Sequence, residues 1–296
     1  MPNIKTDSLS WEKYLKIFYI YKKNMTSKKK NYSRITTSTL QELKNNNHKI
    51  SMLTAYDYTF AKLLDEAGIE VILVGDSASN VIGGHETTLP ITLDQMIYHA
   101  SSVIRGVKRS LVVVDLPFGT YQANSRVALE SAIRIMKESG AHSVKVEGGS
   151  NVRESIERII QAGIPVMGHL GLTPQSIYKF GTYSVRAKEK SEADKLLNDA
   201  KMLQDIGCFC LILEKIPAKL AKKISSILKI PVIGIGAGNS VDGQVLVLHD
   251  MLGINQDFNP RFIRRYLNLK EEIILAVKNY IKDVKDIKFP NQSEQY

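Results

Sequence analysis

Seven short apolar runs in this chain each end in, or lead straight into, a group able to do chemistry. Asp57 follows the first, Asp76-Ser77 the second, Asp115 closes the third, Lys145 and Glu147 the fourth, His169 the fifth, Glu214 the sixth and Gly236-Ala-Gly238 the seventh. Two aspartates delivered by neighbouring strands can hold a hard cation such as Mg2+, which takes carboxylate oxygens and keeps positions for water or substrate. Asp76 and Asp115 are the candidates, with Glu147 completing the shell directly or through a water. A cation held in this way can chelate a 2-oxo acid and stabilise the enolate left when the adjacent carbon loses its proton. Lys145, on the same strand face as Glu147, could balance the acids and meet a substrate carboxylate. Glu214 closes the apolar run Cys210-Leu-Ile-Leu213, a desolvated setting of the kind that makes a carboxylate a stronger base, and could remove the proton. His169, inside Met167-Gly-His-Leu-Gly171, could orient substrate or relay protons, with glycines that let a ligand approach the backbone.

Each residue alone has a plainer reading. An acid at a strand end more often caps the next helix or faces water, so it is the succession of such groups that indicates one shared site. His48, His85, His99, His142 and His249 share no such coincidence and read as core or surface histidines, apart from His85 in a glycine-rich loop. Gly234-Ile-Gly-Ala-Gly238 superficially matches a dinucleotide fingerprint, but it comes late, lacks the third glycine spacing and has no acidic partner at the expected distance. A ligand-facing loop after the seventh strand of a barrel suits it better.

Groups that converge from successive strand ends require a sheet that brings those ends together. Candidate strands are 50–55, 70–75, 111–115, 143–147, 165–169, 209–214, 231–235 and 245–249. Interiors such as Val71-Ile-Leu-Val74 and Leu111-Val-Val-Val114 suit strands covered on both faces. Helical periods over 59–67, 93–105, 125–139 and 152–162 each stop at a glycine, the residue that most readily ends a helix in the left-handed conformation. Eight strands alternating with helices favour an α/β (β/α)8 TIM barrel in a single domain over an open doubly wound sheet. Residues 180–192 read as a long polar loop and 260–283 as one or two helices. The expected organisation is a basic, disordered N-terminal extension over 1–38, the catalytic barrel with its C-terminal helices over 39–284, and a flexible tail over 285–296.

The formal charge of +10 invites a nucleic-acid reading. Residues 1–49, however, hold eleven basic and three acidic side chains, so the other 247 residues carry only +2. The basic character belongs to an appendage, and no nucleic-acid partner is expected of the barrel. The appendage has only one arginine, Arg34, which fits poorly with a transit peptide, and Met25 could be the true initiator. No apolar run is long enough to span a bilayer. Cys208 and Cys210 are the only cysteines, expected on one strand face, which excludes a disulfide scaffold and fits a reducing cytoplasm.

Seven motifs carry a resemblance. Thr54-Ala-Tyr-Asp-Tyr58, Leu73-Val-Gly-Asp-Ser77, Gly84-His-Glu-Thr-Thr-Leu-Pro90, Val114-Asp-Leu-Pro-Phe118, Val144-Lys-Val-Glu-Gly-Gly149, Gly168-His-Leu-Gly-Leu-Thr-Pro-Gln175 and Pro231-Val-Ile-Gly-Ile-Gly-Ala-Gly238 resemble, in order, the ketopantoate hydroxymethyltransferase family. The resemblance spans roughly Leu40 to Tyr266. It implies Mg2+ on Asp76, Asp115 and Glu147, substrate on Asp76, Ser77, Asp115 and Lys145, and Glu214 as catalytic base. It also implies 5,10-methylenetetrahydrofolate as one-carbon donor to 3-methyl-2-oxobutanoate, a place in pantothenate biosynthesis, and a large homo-oligomer, commonly a decamer. Two segments depart from the family pattern. Residues 181–188 replace a glycine-glycine-aromatic-lysine-valine-glutamine-glycine loop, and Ala78-Ser-Asn80 replaces leucine-glycine-methionine. An enolate enzyme of the phosphoenolpyruvate mutase and isocitrate lyase kind is the nearest rival, but it should carry a reactive cysteine motif in a mobile loop, which is not seen here. Nucleic-acid binding through the basic N-terminus is the rival from another class, and it predicts steeply salt-dependent binding.

Overall fold

Alternation along the apolar runs decides which side chains fill the barrel and which meet the helices around it. The computed structural model describes residues 33–256 and 259–296, so the expectations for the basic extension up to residue 32 lie outside the described residues. Eight strands, β1 (Ile50–Thr54), β2 (Val71–Val74), β3 (Leu111–Asp115), β4 (Ser143–Glu147), β5 (Val166–Gly171), β6 (Cys210–Glu214), β7 (Val232–Ile235) and β8 (Gly243–Leu246), run parallel and in sequence order. β8 pairs with β1 and closes the barrel. Val112, Val144, Val166, Leu211 and Val232 pack outward with the helix layer. Their neighbours Val113, Met167, Ile212, Ile233 and Val245 fill the interior together with Met52 and Leu73. The inward set continues along β3 to β6, so Asp115, Lys145, Glu147, His169 and Glu214 follow it to the C-terminal mouth.

The other end of the barrel is closed by a helix, Thr37–Asn45, capped by Thr36. Its Leu40 is fully buried and joins Ile35 against the interior. Lys44 of this helix reaches Asp242, between β7 and β8, at 2.7 Å and the carbonyls of Ile230 and Ser225, ahead of β7, at 2.8 and 3.2 Å, satisfying its partly buried ammonium.

Several boundaries differ from expectation for identifiable reasons. β8 begins at Gly243, and Leu248–Met251 is a helical turn instead of the strand end expected at 245–249. A Cβ on Gly243 would lie 2.5 Å from the Ile50 carbonyl, so the strand starts on a glycine that gives no apolar signal. Gly68, Gly140 and Gly163 have positive φ where helices end, but Gly106 belongs to helix Leu93–Gly106. Its lack of a side chain lets helix Tyr58–Ala67 approach, since a Cβ there would lie 2.7 Å from the Tyr58 carbonyl. Cys208 precedes β6 and packs with the helix layer, whereas Cys210 points inward, so the two thiols do not share a strand face. The polar segment expected over 180–192 is shorter, because helix Lys190–Asp205 starts within it. One helix, Leu269–Lys285, occupies the C-terminal region and is followed by a turn at Gln292–Glu294. No helix among the described residues is long and apolar enough to cross a membrane.

Candidate active site

The mouth of the barrel brings five of the sequence candidates into one buried cluster. Asp76, Asp115, Lys145, Glu147 and His169 are all at most 5% exposed. Strand register supplies the order, with Asp115 beside Lys145 across β3–β4, Glu147 beside His169 across β4–β5, and Glu214 beside Gly171 across β5–β6. The Lys145 Nζ lies 3.1 Å from Asp115 Oδ1, 3.6 Å from Glu147 Oε1 and 3.2 Å from His169 Nδ1. His169 bridges two acids, Nδ1 at 3.2 Å from Glu147 and Nε2 at 3.4 Å from Glu214. Ser77 lines the cavity, its hydroxyl 2.8 Å from the Tyr56 hydroxyl. Asp57 takes the plain role instead, capping helix Tyr58–Ala67 through the Phe60 N–H.

Three buried carboxylates around one ammonium cannot all be neutralised by it. Burial, with Glu147 and Asp115 adding repulsion, pushes the Asp76 carboxyl well above its ordinary range. Burial also raises Asp115, although Lys145 and the Asp76 N–H, at 3.0 Å, oppose the shift. Glu147 goes the other way, because Lys145 and His169 outweigh the effect of burial. Burial and Lys145 press the His169 imidazole down, but Glu147 and Glu214 hold it up at about 9. Lys145 is raised as well, since three acids outweigh the burial of its charge. Glu214 is less enclosed than its position at the end of an apolar run implies, with 16% of its side chain accessible.

This donor set suits a hard divalent cation. Asp115 Oδ1 is buried and makes its ion pair with Lys145 without an aligned hydrogen bond, and Asp76 sits in a surplus of negative charge. Among the described residues no three His, Cys, Asp or Glu side chains surround one point as a ready-made cage. The fit therefore rests on the carboxylates of Asp76 and Asp115, the hard oxygen donors that an ion such as magnesium takes.

The sequence reading missed the residues that hold these acids in place. Gln175 is buried, and its amide nitrogen donates to Asp76 Oδ2 and to the Leu116 carbonyl, both at 2.9 Å. Its backbone N–H donates to Glu147 Oε2 at 3.0 Å, and its amide oxygen accepts from Tyr121 at 2.7 Å and Gln122 at 3.1 Å. Gln175 closes the motif Gly168-His-Leu-Gly-Leu-Thr-Pro-Gln175, but nothing in its spacing marks it as a partner of the acids. The glycines after β7 also have a packing purpose: Gly236 lies under the Phe262 ring and Gly238 against Ala218. In the divergent loop, Arg186 stacks over Phe180 at 4.2 Å and pairs with Glu192, while Tyr183 lines the cavity.

The profile of the ketopantoate hydroxymethyltransferase family matches residues 34–292. The chain belongs to that family. Family members similar to it include the 3-methyl-2-oxobutanoate hydroxymethyltransferases of Flavobacterium johnsoniae, 70% identical over 92% of this chain and all of that one, and of Christiangramia forsetii, 68% identical with the same coverage. Solved structures with a similar fold include phosphoenolpyruvate phosphomutase from Streptomyces platensis subsp. rosaceus, with a TM-score of 0.58 and 14% identity over 85% of this chain and 88% of that one. Phosphonopyruvate hydrolase in complex with oxalate and Mg++ gives a TM-score of 0.56 at 10% identity, over 87% of this chain and 92% of that one. At these identities the two structures speak for the (β/α)8 fold, and family membership rests on the sequence matches.

Proposed function

We propose that the protein transfers a hydroxymethyl group from 5,10-methylenetetrahydrofolate to 3-methyl-2-oxobutanoate, giving 2-dehydropantoate for pantothenate biosynthesis. The observation that carries this reading is the buried cluster in which Asp115 and Glu147 pair with Lys145 and Asp76 adds a third carboxylate, with Glu214 on the neighbouring side of the mouth. Asp76 and Asp115 would hold Mg2+, with Glu147 completing the shell directly or through water. When bound, the ion supplies Lewis acidity that stabilises negative charge growing on the keto oxygen.

The chain's own residues perform the remaining tasks. Lys145 and Ser77 receive the oxo acid, with Tyr56 orienting the Ser77 hydroxyl. Glu214 removes the C3 proton, and the electron pair released at C3 forms the new bond to the methylene carbon of the donor as that carbon's bonds to the two donor nitrogens break; water supplies the hydroxyl oxygen and tetrahydrofolate leaves. His169, in contact with both Glu147 and Glu214, orients the base and can relay its proton.

The reading includes a homo-oligomer, a decamer by resemblance, without nucleic acid or membrane as partner. Helix Leu269–Lys285 buries none of its residues and exposes Ile273, Ile274, Val277, Tyr280 and Ile281, which supports assembly between copies. Two free buried thiols, Cys208 and Cys210, accord with a cytoplasmic setting. The test is product formation: 2-dehydropantoate should appear only with Mg2+, 3-methyl-2-oxobutanoate and 5,10-methylenetetrahydrofolate together. Turnover of phosphoenolpyruvate or isocitrate in its place would overturn the assignment.

A further inference from the structure

The acid cluster occupies the mouth from β2 to β6 and leaves the β7–β8 side to other residues. One cavity of about 460 Å3 spans both sides. That exceeds what a five-carbon oxo acid requires and falls in the range of sites that enclose a larger ligand. Its β7–β8 side is walled by Ile235, Val247, Phe262 and Ile263, with two polar side chains among them, Asp250 and Asn255. Asp250 is 5% exposed. The Asn255 amide donates to Asp250 Oδ1 at 3.3 Å, a long bond that orients the carboxylate and uses little of its accepting capacity.

We propose that Asp250, oriented by Asn255, is the recognition group for the reduced pterin of the one-carbon donor, and that Phe262 lies against the pterin ring. The proposal rests on the hydroxymethyl-donor reading above and names the part of the cavity that serves it. A reduced pterin carries a 2-amino group and an N3–H side by side, two donors on one edge. A carboxylate offers two acceptor oxygens at matching spacing, the complement of the paired donors by which arginine meets a carboxylate. Burial pushes the Asp250 carboxyl up to about 6 against the pull of Asn255 and Arg265, as expected of a carboxylate short of donors. Phe262 is fixed in the wall because its ring lies over Gly236, where a Cβ would come within 3.1 Å of it. The glycine motif after β7 therefore shapes the wall of the donor pocket by admitting Phe262.

The test is calorimetric titration of the Mg2+-loaded protein with tetrahydrofolate, comparing wild type with Asp250→Asn and Phe262→Leu. Asp250→Asn keeps the shape but turns an amide donor toward the pterin's donors, so affinity should fall roughly tenfold to a hundredfold. Phe262→Leu should lose about threefold to tenfold through the missing aromatic face, which keeps the proposal testable if the first variant folds poorly. The KM for 3-methyl-2-oxobutanoate in C3 proton exchange should move much less than the tetrahydrofolate affinity. Unchanged tetrahydrofolate affinity in both variants would overturn the subsite, as would an oxo-acid KM rising in step, which would mean that Asp250 only braces the mouth. Wild-type protein that exchanges the C3 proton but does not bind tetrahydrofolate would sink the donor reading itself, a separate outcome.

Discussion

Replacing Gln175 by leucine should destabilise the protein strongly, through the acids it holds apart. The side-chain amide makes four hydrogen bonds: to Asp76 Oδ2, to the Leu116 carbonyl, from Tyr121 and from Gln122. Leucine has similar bulk and preserves the backbone N–H bond to Glu147. Tyr121 retains the Glu147 carbonyl as acceptor at 3.1 Å, so its hydroxyl is not stranded. Asp76 Oδ2 and the Leu116 carbonyl both lose a buried donor. At roughly 1–3 kcal/mol for each buried group left unsatisfied, the loss is about 2–6 kcal/mol. Urea unfolding at fixed protein concentration, without metal, measures it as a lower midpoint with unchanged slope. Gln175→Glu should be worse than leucine, since it adds a fourth acid to three buried ones. A Gln175→Leu midpoint equal to wild type would refute the reasoning, because the amide would then contribute nothing that water does not replace.

Two further predictions concern backbone and pH. Ala187 has φ +55 and is buried where the family pattern has glycine, so Ala187→Gly should raise thermal stability by up to about 1 kcal/mol; a lower melting temperature would show that the loop is not strained there. The Asp65 carboxylate accepts from the N–H groups of Lys108, Arg109 and Ser110 and from the Ser110 hydroxyl. Burial pushes Asp65 up, but these donors outweigh it and hold the carboxyl below its ordinary value. Because the folded value is the lower one, its stabilisation is complete above the unfolded value of about 3.9 and is lost as pH falls through the folded value. Asp65→Asn should therefore lower stability at neutral pH and flatten the acid limb of a stability–pH curve; an acid limb as steep as wild type would contradict this.

Much of the barrel was legible because buried parallel strands repeat Val, Ile and Leu, and because the chemistry sits where those runs stop. Lys145 and Glu147 share a face in the sequence and in the structure, as the two-residue period of a strand requires. The eighth strand was misplaced because it opens on Gly243 and Gln244, one absent side chain and one exposed one. Helix Lys190–Asp205 was partly hidden because its outer face is polar and begins in a lysine- and glutamate-rich segment. Gln175, Tyr121 and Asp250 could not be found from strand ends. Gln175 and Tyr121 lie in connections, and Asp250 in a one-turn helix, placed by tertiary packing that leaves no periodic trace.

Proton exchange at C3 tests the central claim most directly, because it isolates the enolate-forming half of the reaction. With Mg2+ and 3-methyl-2-oxobutanoate in deuterium oxide, wild-type protein should replace the C3 proton, followed by NMR. Glu214→Gln and Asp76→Asn should each slow exchange by about a hundredfold or more while remaining folded. Wild-type rates in Glu214→Gln, or no exchange by folded, metal-loaded wild type, would contradict the account.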